Sequence, residues 1–267
     1  MREVILRVPR RAVEDVLDRL LPIVPGGVRE VAVGRDVELR MRGDGLPPAS
    51  EIEAASGRWP HKISEVEVSD EWRERRLADY EPDVIGGRLV VRPAWAPSSD
   101  ADLIDIVLGE SAAFGGGTHP TTRTCLEWLL ELSPAGSFAD LGCGTGVLGI
   151  LAARLGWSPV LALDIQPGSV EATKENAERN CVEVEAAVAD LAVESPPPAD
   201  AFAANVPAAL HAKIAAAWRG TGPQAGLLSG FDPDEADEVI EAYAVAGLRE
   251  RRRASVGGWG VVVLERD

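Results

Sequence analysis

A glycine-rich turn at residues 140–146, with the sequence DLGCGTG, is the segment best suited to hold a ligand. An apolar run precedes the turn and a helical pattern follows it. Open α/β sheets bind ligands beyond the carboxyl ends of their strands, where such turns lie. Gly142 and Gly144 let ligand and backbone approach closely and permit positive φ. Val147 stands where the dinucleotide-binding fingerprint has a glycine. The spacing therefore favours a nucleoside ligand without a pyrophosphate, and a purely structural turn is the alternative.

An acidic residue stands at the distance from this turn at which a ribose is commonly held. The strand-like run 160–163 ends in Asp164, about 20 residues beyond Gly142, where a carboxylate can accept hydrogen bonds from both ribose hydroxyls. The alternative is an N-cap for the helix that begins near Pro167, a role that Asp also fills well. The turn and the spaced acid together favour cofactor binding.

A second glycine-rich segment, residues 113–122 with the sequence AFGGGTHPTT, precedes the turn. Thr121 and Thr122 stand at the start of a helical pattern, where a plain N-cap is the alternative to a ligand contact for either threonine. His119 has no evident partner in the sequence, so we predict a structural role for it.

The strand-like run 201–205 ends in a polar residue, Asn205. An amide at the carboxyl end of a strand should face the ligand crevice of this architecture. Its carbonyl oxygen can accept from an amine while its nitrogen donates elsewhere. A turn-forming Asn is the alternative.

The elements that must position these residues alternate between strand and helix in the second part of the chain. Strand-like runs lie at 137–141, 160–165, 186–189, 201–205 and 226–229, with helical patterns such as 147–155, 168–180 and 208–218 between them. This alternation predicts a parallel, doubly wound α/β sheet. The runs 249–255 and 259–265 have no helix between them and predict a terminal antiparallel hairpin.

The first part of the chain has a different order of elements. Strand-like runs at 4–8, 28–33, 37–41 and 62–68 are combined with helical patterns at 11–21 and 49–56. The order β-α-β-β-α-β predicts a small ferredoxin-like α+β domain. A Pro- and Ser-rich stretch at 93–100 is interpreted as a linker.

Composition limits the classes of partner. Among the 267 residues, 27 are basic and 43 acidic, and residues 101–267 carry −13 of the net charge of −16. Such acidity disfavours direct nucleic-acid binding and suits a basic partner or simply solubility. The sequence shows no membrane span and no signal peptide, which predicts a cytoplasmic protein. Three cysteines and three histidines are dispersed, so we expect neither a disulfide framework nor a metal site.

Residues 140–146, Asp164 and Asn205 together resemble the class I S-adenosylmethionine-dependent methyltransferases. Residues 113–122 are similar to the signature AFGTGTHPTT of the bacterial methyltransferases of ribosomal protein L-eleven. Further matches to that family occur at Trp72-Arg73, at 87–95 and at 226–230. Two departures are Gly116, where the family commonly has Thr, and NVPA at 205–208 in place of NILA.

The resemblance implies a seven-stranded, doubly wound methyltransferase sheet with an antiparallel C-terminal hairpin, preceded by the small α+β domain. It implies a substrate-recognition domain over 1–70, a linker region over 71–100 and an S-adenosylmethionine-binding domain over 101–267. The implied activity is methylation of lysine side-chain and N-terminal amines of a basic ribosomal protein. The cofactor contacts that it implies are Thr122 or its neighbour Thr121, Gly142, Asp164 and Asn205, and we add Gly144 of the same turn. Asn205 is also the catalytic candidate, and no residue is an evident general base.

Two other functions share part of this pattern. An S-adenosylmethionine-dependent N-methyltransferase of another protein or of a small molecule would use the same cofactor residues. A dinucleotide-dependent oxidoreductase is the alternative from another class, and Val147 and the segment 114–122 count against it.

Overall fold

The computed structural model describes residues 2–24, 27–43, 45–67, 80–98, 100–111, 113–117, 119–218 and 222–266. The chain forms two compact units: unit 1 comprises residues 1–81 and 110–112, and unit 2 comprises residues 82–109 and 113–267. Trp72, Arg73 and the predicted boundary after residue 70 lie outside the described residues. Within the described ranges, no helix combines the length and apolar character needed to cross a membrane.

Unit 1 has the predicted β-α-β-β-α-β order. Its elements are β1 (Arg2–Pro9), α1 (Val13–Leu20), β2 (Arg29–Val33), β3 (Asp36–Gly43), α2 (Ala49–Ala54) and β4 (Lys62–Glu67). The strands form an antiparallel sheet in the order β2-β3-β1-β4. Because successive side chains of a strand alternate between faces, Val4, Leu6 and Val8 all point into one buried core. The ferredoxin-like prediction is confirmed; Val68, which we assigned to β4, lies outside the described residues.

Unit 2 opens with a small sheet that the sequence did not predict. Its strands are β5 (Val84–Ile85), β6 (Leu89–Pro93) and β7 (Ile104–Leu108), with β6 and β7 parallel. Ile85 and Leu89 are buried in the core of unit 2, and Arg92 binds Asp105 across the two parallel strands through three contacts of 2.8–3.0 Å. The interpretation of 71–100 as a linker is therefore corrected over 84–93, where prolines and glycines end short strands instead of separating domains.

The rest of unit 2 is the predicted large sheet with its helices. The elements are α3 (Pro120–Leu129), β8 (Phe138–Leu141), α4 (Val147–Leu155), β9 (Val160–Asp164), α5 (Pro167–Arg179), β10 (Glu185–Val188), β11 (Ala201–Asn205), α6 (Ala208–Ala217), β12 (Ala225–Phe231), α7 (Ala236–Ala244), β13 (Leu248–Val256) and β14 (Trp259–Arg266). The strand order is β10-β9-β8-β11-β12-β14-β13. Only β14 runs against the other six strands of this sheet, and it pairs antiparallel with both β12 and β13. The doubly wound, seven-stranded sheet with its C-terminal hairpin is confirmed.

Both faces of this sheet are covered, as a mostly parallel sheet requires. Phe138 and Ala203 belong to an apolar cluster on one face, whereas Leu141 and Phe202 belong to a cluster on the other. The chain reverses its direction of winding between the adjacent strands β8 and β11. The carboxyl ends of β8, β9 and β11 therefore meet at one edge of the sheet, where such folds bind ligands.

Candidate active site

The glycine turn between β8 and α4 is held by its own backbone. Gly142, Gly144 and Gly146 have φ values of 78°, 54° and 77°. A Cβ on Gly142 would lie 2.6 Å from Cγ1 of Val206, and one on Gly144 would overlap the carbonyl oxygen of Phe114. Side chains at these two positions are therefore excluded by the protein itself, whether or not a ligand is bound.

Asp164 joins this turn to the end of β9. Its Oδ2 accepts a hydrogen bond of 2.9 Å from the N–H of Gly144, and its Oδ1 accepts one of 2.8 Å from the N–H of Gln166. The N-cap of α5 is Gln166, so the alternative that made Asp164 the helix cap is wrong. Because a carboxylate offers about four lone-pair sites, the half-buried Asp164 can still accept further hydrogen bonds.

A buried carboxylate lies directly behind the turn. Asp140 is 2% exposed, and its Oδ2 accepts a hydrogen bond of 2.8 Å from the N–H of Gly149 in α4. Burial raises the pKa of Asp140 to about 7, against the effect of this hydrogen bond, and the charge of Asp164 raises it further. A negative charge at this position therefore costs stability at neutral pH.

The loop 113–117 is fastened to the turn by Thr145. The N–H of Thr145 donates to the carbonyl oxygen of Phe114, and its hydroxyl donates to that of Gly115, both at 2.9 Å. Asn176 of α5 donates in turn to the carbonyl oxygen of Thr145 at 3.0 Å. The loop, the turn and α5 thus form one connected structure.

Asn176 of α5 and Asn180, the C-cap of this helix, also hold β7 and the residue that follows it. The N–H of Gly109 donates to Oδ1 of Asn176 at 2.8 Å. The side chain of Asn180 accepts from the N–H of Val107 at 2.8 Å and donates to its carbonyl oxygen at 2.7 Å. We call Asn176 and Asn180 the asparagine clamp.

A chain of polar contacts connects β11 with the start of α3. The Nδ2 of Asn205 donates to Oγ1 of Thr121 at 3.1 Å, and that hydroxyl lies 2.7 Å from Nδ1 of His119. The same Nδ1 also accepts a hydrogen bond of 3.4 Å from the N–H of Thr121. The contact with Thr121 fixes the orientation of the Asn205 side chain, in which Nδ2 donates to the threonine and Oδ1 can act as an acceptor.

His119, and not a threonine, is the N-cap of α3, and Pro120 follows at the first helical position. The alternative of a threonine N-cap is therefore wrong, and the structural role predicted for His119 is confirmed as that of a helix cap. Of the two candidate threonines, Thr121 contacts Asn205. Thr122 is 2% exposed, and its Oγ1 makes no hydrogen bond to any described residue.

An aromatic cleft of about 170 Å³ opens beside Asn205. It is lined by Phe114, His119, Thr121, Asn205, Val206, Pro207, Gly230 and Trp259. The ring of His119 packs edge-on between those of Phe114 and Trp259, with centroid distances of 5.0 Å and 6.1 Å. Val206, which faces Gly142, joins the cleft to the glycine turn.

Sequence reasoning missed most of the residues that form this cleft. The signal that could have identified His119 is the His-Pro pair at the start of a helix, because Pro favours the first helical position after the cap. No local pattern indicates Trp259, which reaches the cleft from the C-terminal hairpin.

Comparison with known proteins decides which family this site belongs to. The family described as "Ribosomal protein L11 methyltransferase (PrmA)" matches residues 49–267. The chain belongs to this family. It is 34% identical over 226 residues to the ribosomal protein L11 methyltransferase of Cupriavidus taiwanensis, covering 81% of this chain and 75% of the relative. The corresponding enzyme of Cupriavidus necator is 35% identical over 226 residues, covering 81% and 74%.

Among solved structures, the ribosomal protein L11 methylase of Lactobacillus delbrueckii subsp. bulgaricus has the same fold. Its TM-score is 0.61 at 23% identity, and the match covers 70% of this chain and 98% of that chain. Family membership confirms the predicted methyltransferase and, with it, S-adenosylmethionine as the methyl donor. The turn at Gly142 and Gly144, which carries no side chains at these positions, and the carboxylate of Asp164 fit the nucleoside part of S-adenosylmethionine.

Proposed function

We propose that this enzyme transfers methyl groups to amines of ribosomal protein L11, specifically to lysine side chains and the N-terminal α-amine. The observation that carries the proposal is the fixed amide of Asn205: its Nδ2 donates to Thr121, and its Oδ1 has no hydrogen-bond partner among the described residues and can accept from an amine N–H. The names of the relatives support the choice of L11 as substrate. Such a substrate also agrees with the predicted cytoplasmic location.

In this proposal the glycine turn and Asp164 hold the cofactor. The backbone at Gly142 and Gly144 lies against the nucleoside, and the free lone pairs of Asp164 accept from the ribose hydroxyls. Thr121 and Asn205 border the reacting end, with Thr122 as the alternative to Thr121. When bound, S-adenosylmethionine supplies an electrophilic methyl group on a sulfonium.

The acceptor amine enters through the aromatic cleft. An amine attacks only in its neutral form, with its lone pair directed at the methyl carbon, so positioning accounts for most of the catalysis. A hydrogen bond from the amine to Oδ1 of Asn205 would set that direction. Phe114 and Trp259 are 55% and 38% exposed, so the proton released from the amine can pass to water.

The central test is mass spectrometry of purified L11 after incubation with the enzyme and isotope-labelled S-adenosylmethionine. We expect labelled methyl groups on lysines and on the N-terminal amine. Asn205→Ala should reduce the rate by about a hundredfold, because the acceptor loses its orienting contact. Thr124→Val, which removes a hydroxyl bonded within α3, is the matched control and should leave the rate unchanged. Labelling of another protein only, or of none, would contradict the proposal.

We also propose that unit 1 recognises the protein substrate, aided by the acidity of residues 101–267. A protein–protein interface typically needs about 800 Å² per partner, which a cleft of about 170 Å³ does not supply. A chain that begins at Pro82, the first residue of unit 2, keeps β5 and β6. It should bind S-adenosylmethionine but lose most activity on intact L11. Equal loss on L11 and on a short lysine peptide would show that unit 1 supports the fold instead.

A further inference from the structure

A network of three polar side chains lies in the apolar cluster to which α6 and α7 contribute. His211 of α6, Ser229 of β12 and Tyr243 of α7 are each 0% exposed, within the cluster that includes Phe202, Leu228 and Val262. Nδ1 of His211 lies 3.2 Å from the hydroxyl oxygen of Tyr243, and Nε2 lies 3.1 Å from the carbonyl oxygen of Ser229.

The partners of His211 determine its protonation. A carbonyl oxygen can only accept, so Nε2 carries the proton, and Nδ1 accepts from the tyrosine hydroxyl. Burial lowers the pKa of His211 to about 4, so the ring is neutral at physiological pH. Each ring nitrogen thereby has a partner of the correct type, and the backbone of Val206 is a further partner of the ring.

Ser229 connects this histidine to two segments of the chain that line the cleft. Its carbonyl oxygen also accepts from the N–H of Val206 at 3.0 Å, and its hydroxyl donates to the carbonyl oxygen of Gly260 at 2.9 Å. Val206 follows Asn205 directly, and Gly260 follows Trp259 directly. Moving Ser229 would therefore move the chain neighbours of two residues that line the cleft.

Stability alone gives little reason for such a network. A buried hydrogen-bonded group contributes little net free energy compared with an apolar side chain of similar shape, although breaking one partner is costly. The side chains of the surrounding cluster are apolar and buried. The contacts that the network makes beyond itself lead to Val206 and Gly260, the chain neighbours of Asn205 and Trp259.

We propose that His211, Ser229 and Tyr243 are positioning residues that fix Asn205 and Trp259 at the spacing that the acceptor amine requires. This inference rests on the proposed function, since it takes the aromatic cleft as the acceptor site. None of the three residues lines the cleft, so each acts through the backbone of β12, β14 or the turn after β11.

The test compares four variants for kcat and KM on L11, for the Kd of S-adenosylhomocysteine and for Tm. Ser229→Ala and Tyr243→Phe each remove one hydroxyl and keep the packing. His211→Phe removes both ring contacts, and His211→Gln keeps a donor for the Ser229 carbonyl. Val239→Ala, a truncation in the same buried cluster without a polar contact, is the matched control.

We expect kcat to fall about tenfold in His211→Phe, by analogy with small displacements of reacting groups, and less in the two hydroxyl variants. His211→Gln should recover most of the loss, and the Kd of S-adenosylhomocysteine should change by less than about threefold, a difference of less than 1 kcal/mol. Val239→Ala should lower Tm without lowering kcat. The inference is overturned if kcat follows Tm across all five variants. A wild-type enzyme inactive on L11 would overturn the proposed function and the inference together.

Discussion

The two halves of the candidate active site are held together in different ways. The glycine turn is fixed by backbone groups: Gly142 and Cys143 donate to the carbonyl oxygen of Leu163, and Thr145 donates to that of Phe114. The acceptor cleft is fixed by side chains, of which Thr121 and Asn205 are 84 residues apart. We therefore expect almost any substitution in the turn to impair cofactor binding strongly, whereas substitutions in the cleft should lower activity by graded amounts.

Gly144→Val is the change with the largest expected effect. A left-handed φ and overlap with the Phe114 carbonyl should displace the loop and weaken S-adenosylhomocysteine binding by about tenfold to a hundredfold, since such strain costs about 1–3 kcal/mol. Calorimetric titration measures the Kd. Gly168→Ala, at a glycine with no atom within 4 Å of an added Cβ, is the control and should bind normally. Normal binding by Gly144→Val would mean that the turn can rearrange freely.

Asp164→Ala should weaken cofactor binding by about 1.5–3 kcal/mol, the range for hydrogen bonds to charged groups. Because its carboxylate also receives the N–H groups of Gly144 and Gln166, Tm without ligand should fall as well. Asp164→Asn keeps one acceptor oxygen, so its cofactor Kd and its Tm should lie between those of wild type and those of Asp164→Ala. A variant with lower Tm but unchanged Kd would leave Asp164 with a structural role only.

Asp140→Asn tests the buried charge behind the turn. The folded pKa of about 7 lies above the ordinary value of 3.8, so the unfolded chain releases this proton first and wild-type stability falls as pH rises between the two. Asn can still accept from Gly149 but does not titrate. The stability gain of Asp140→Asn over wild type should therefore grow by about 1.5 kcal/mol from about pH 5.5 to about pH 7, measured by urea unfolding. A pH-independent difference would place the carboxylate in a polar environment.

Thr121→Val should have the smallest effect and would show that the cleft responds in steps. It removes the oxygen that receives the Asn205 amide, at a cost of about 1 kcal/mol, or roughly fivefold in kcat on L11. His119 keeps its place as N-cap through the backbone N–H of residue 121. A complete loss of activity would show that the cleft is as intolerant as the turn.

The difference between the turn, which is held by backbone groups, and the cleft, which is held by distant side chains, explains which parts of the site could be predicted from the sequence. The turn and Asp164 follow strands directly, and one β-α-β unit sets the spacing between them. The sequence of residues 140–164 is therefore enough to predict that they lie close together. His119, Trp259 and Ser229 come together only when α3, β12 and β14 are assembled, and nothing in their neighbours indicates it. The linker interpretation failed for a related reason: β5 and β6 are too short to show periodicity, and Pro93 ends a strand.

The asparagine clamp has a consequence for the way the molecule opens. At the outer edge of β7, the Asn180 side chain takes the place that a neighbouring strand would occupy, with one bond to the N–H and one to the carbonyl of Val107. Amide hydrogen exchange at Val107 and Gly109 should therefore be slow, although β7 is an edge strand. Asn176 also donates to the carbonyl oxygen of Thr145 in the glycine turn, so an opening that breaks the clamp should also free the turn. The amides of Val107, Gly109 and the glycine turn should therefore exchange together, as one cooperative unit.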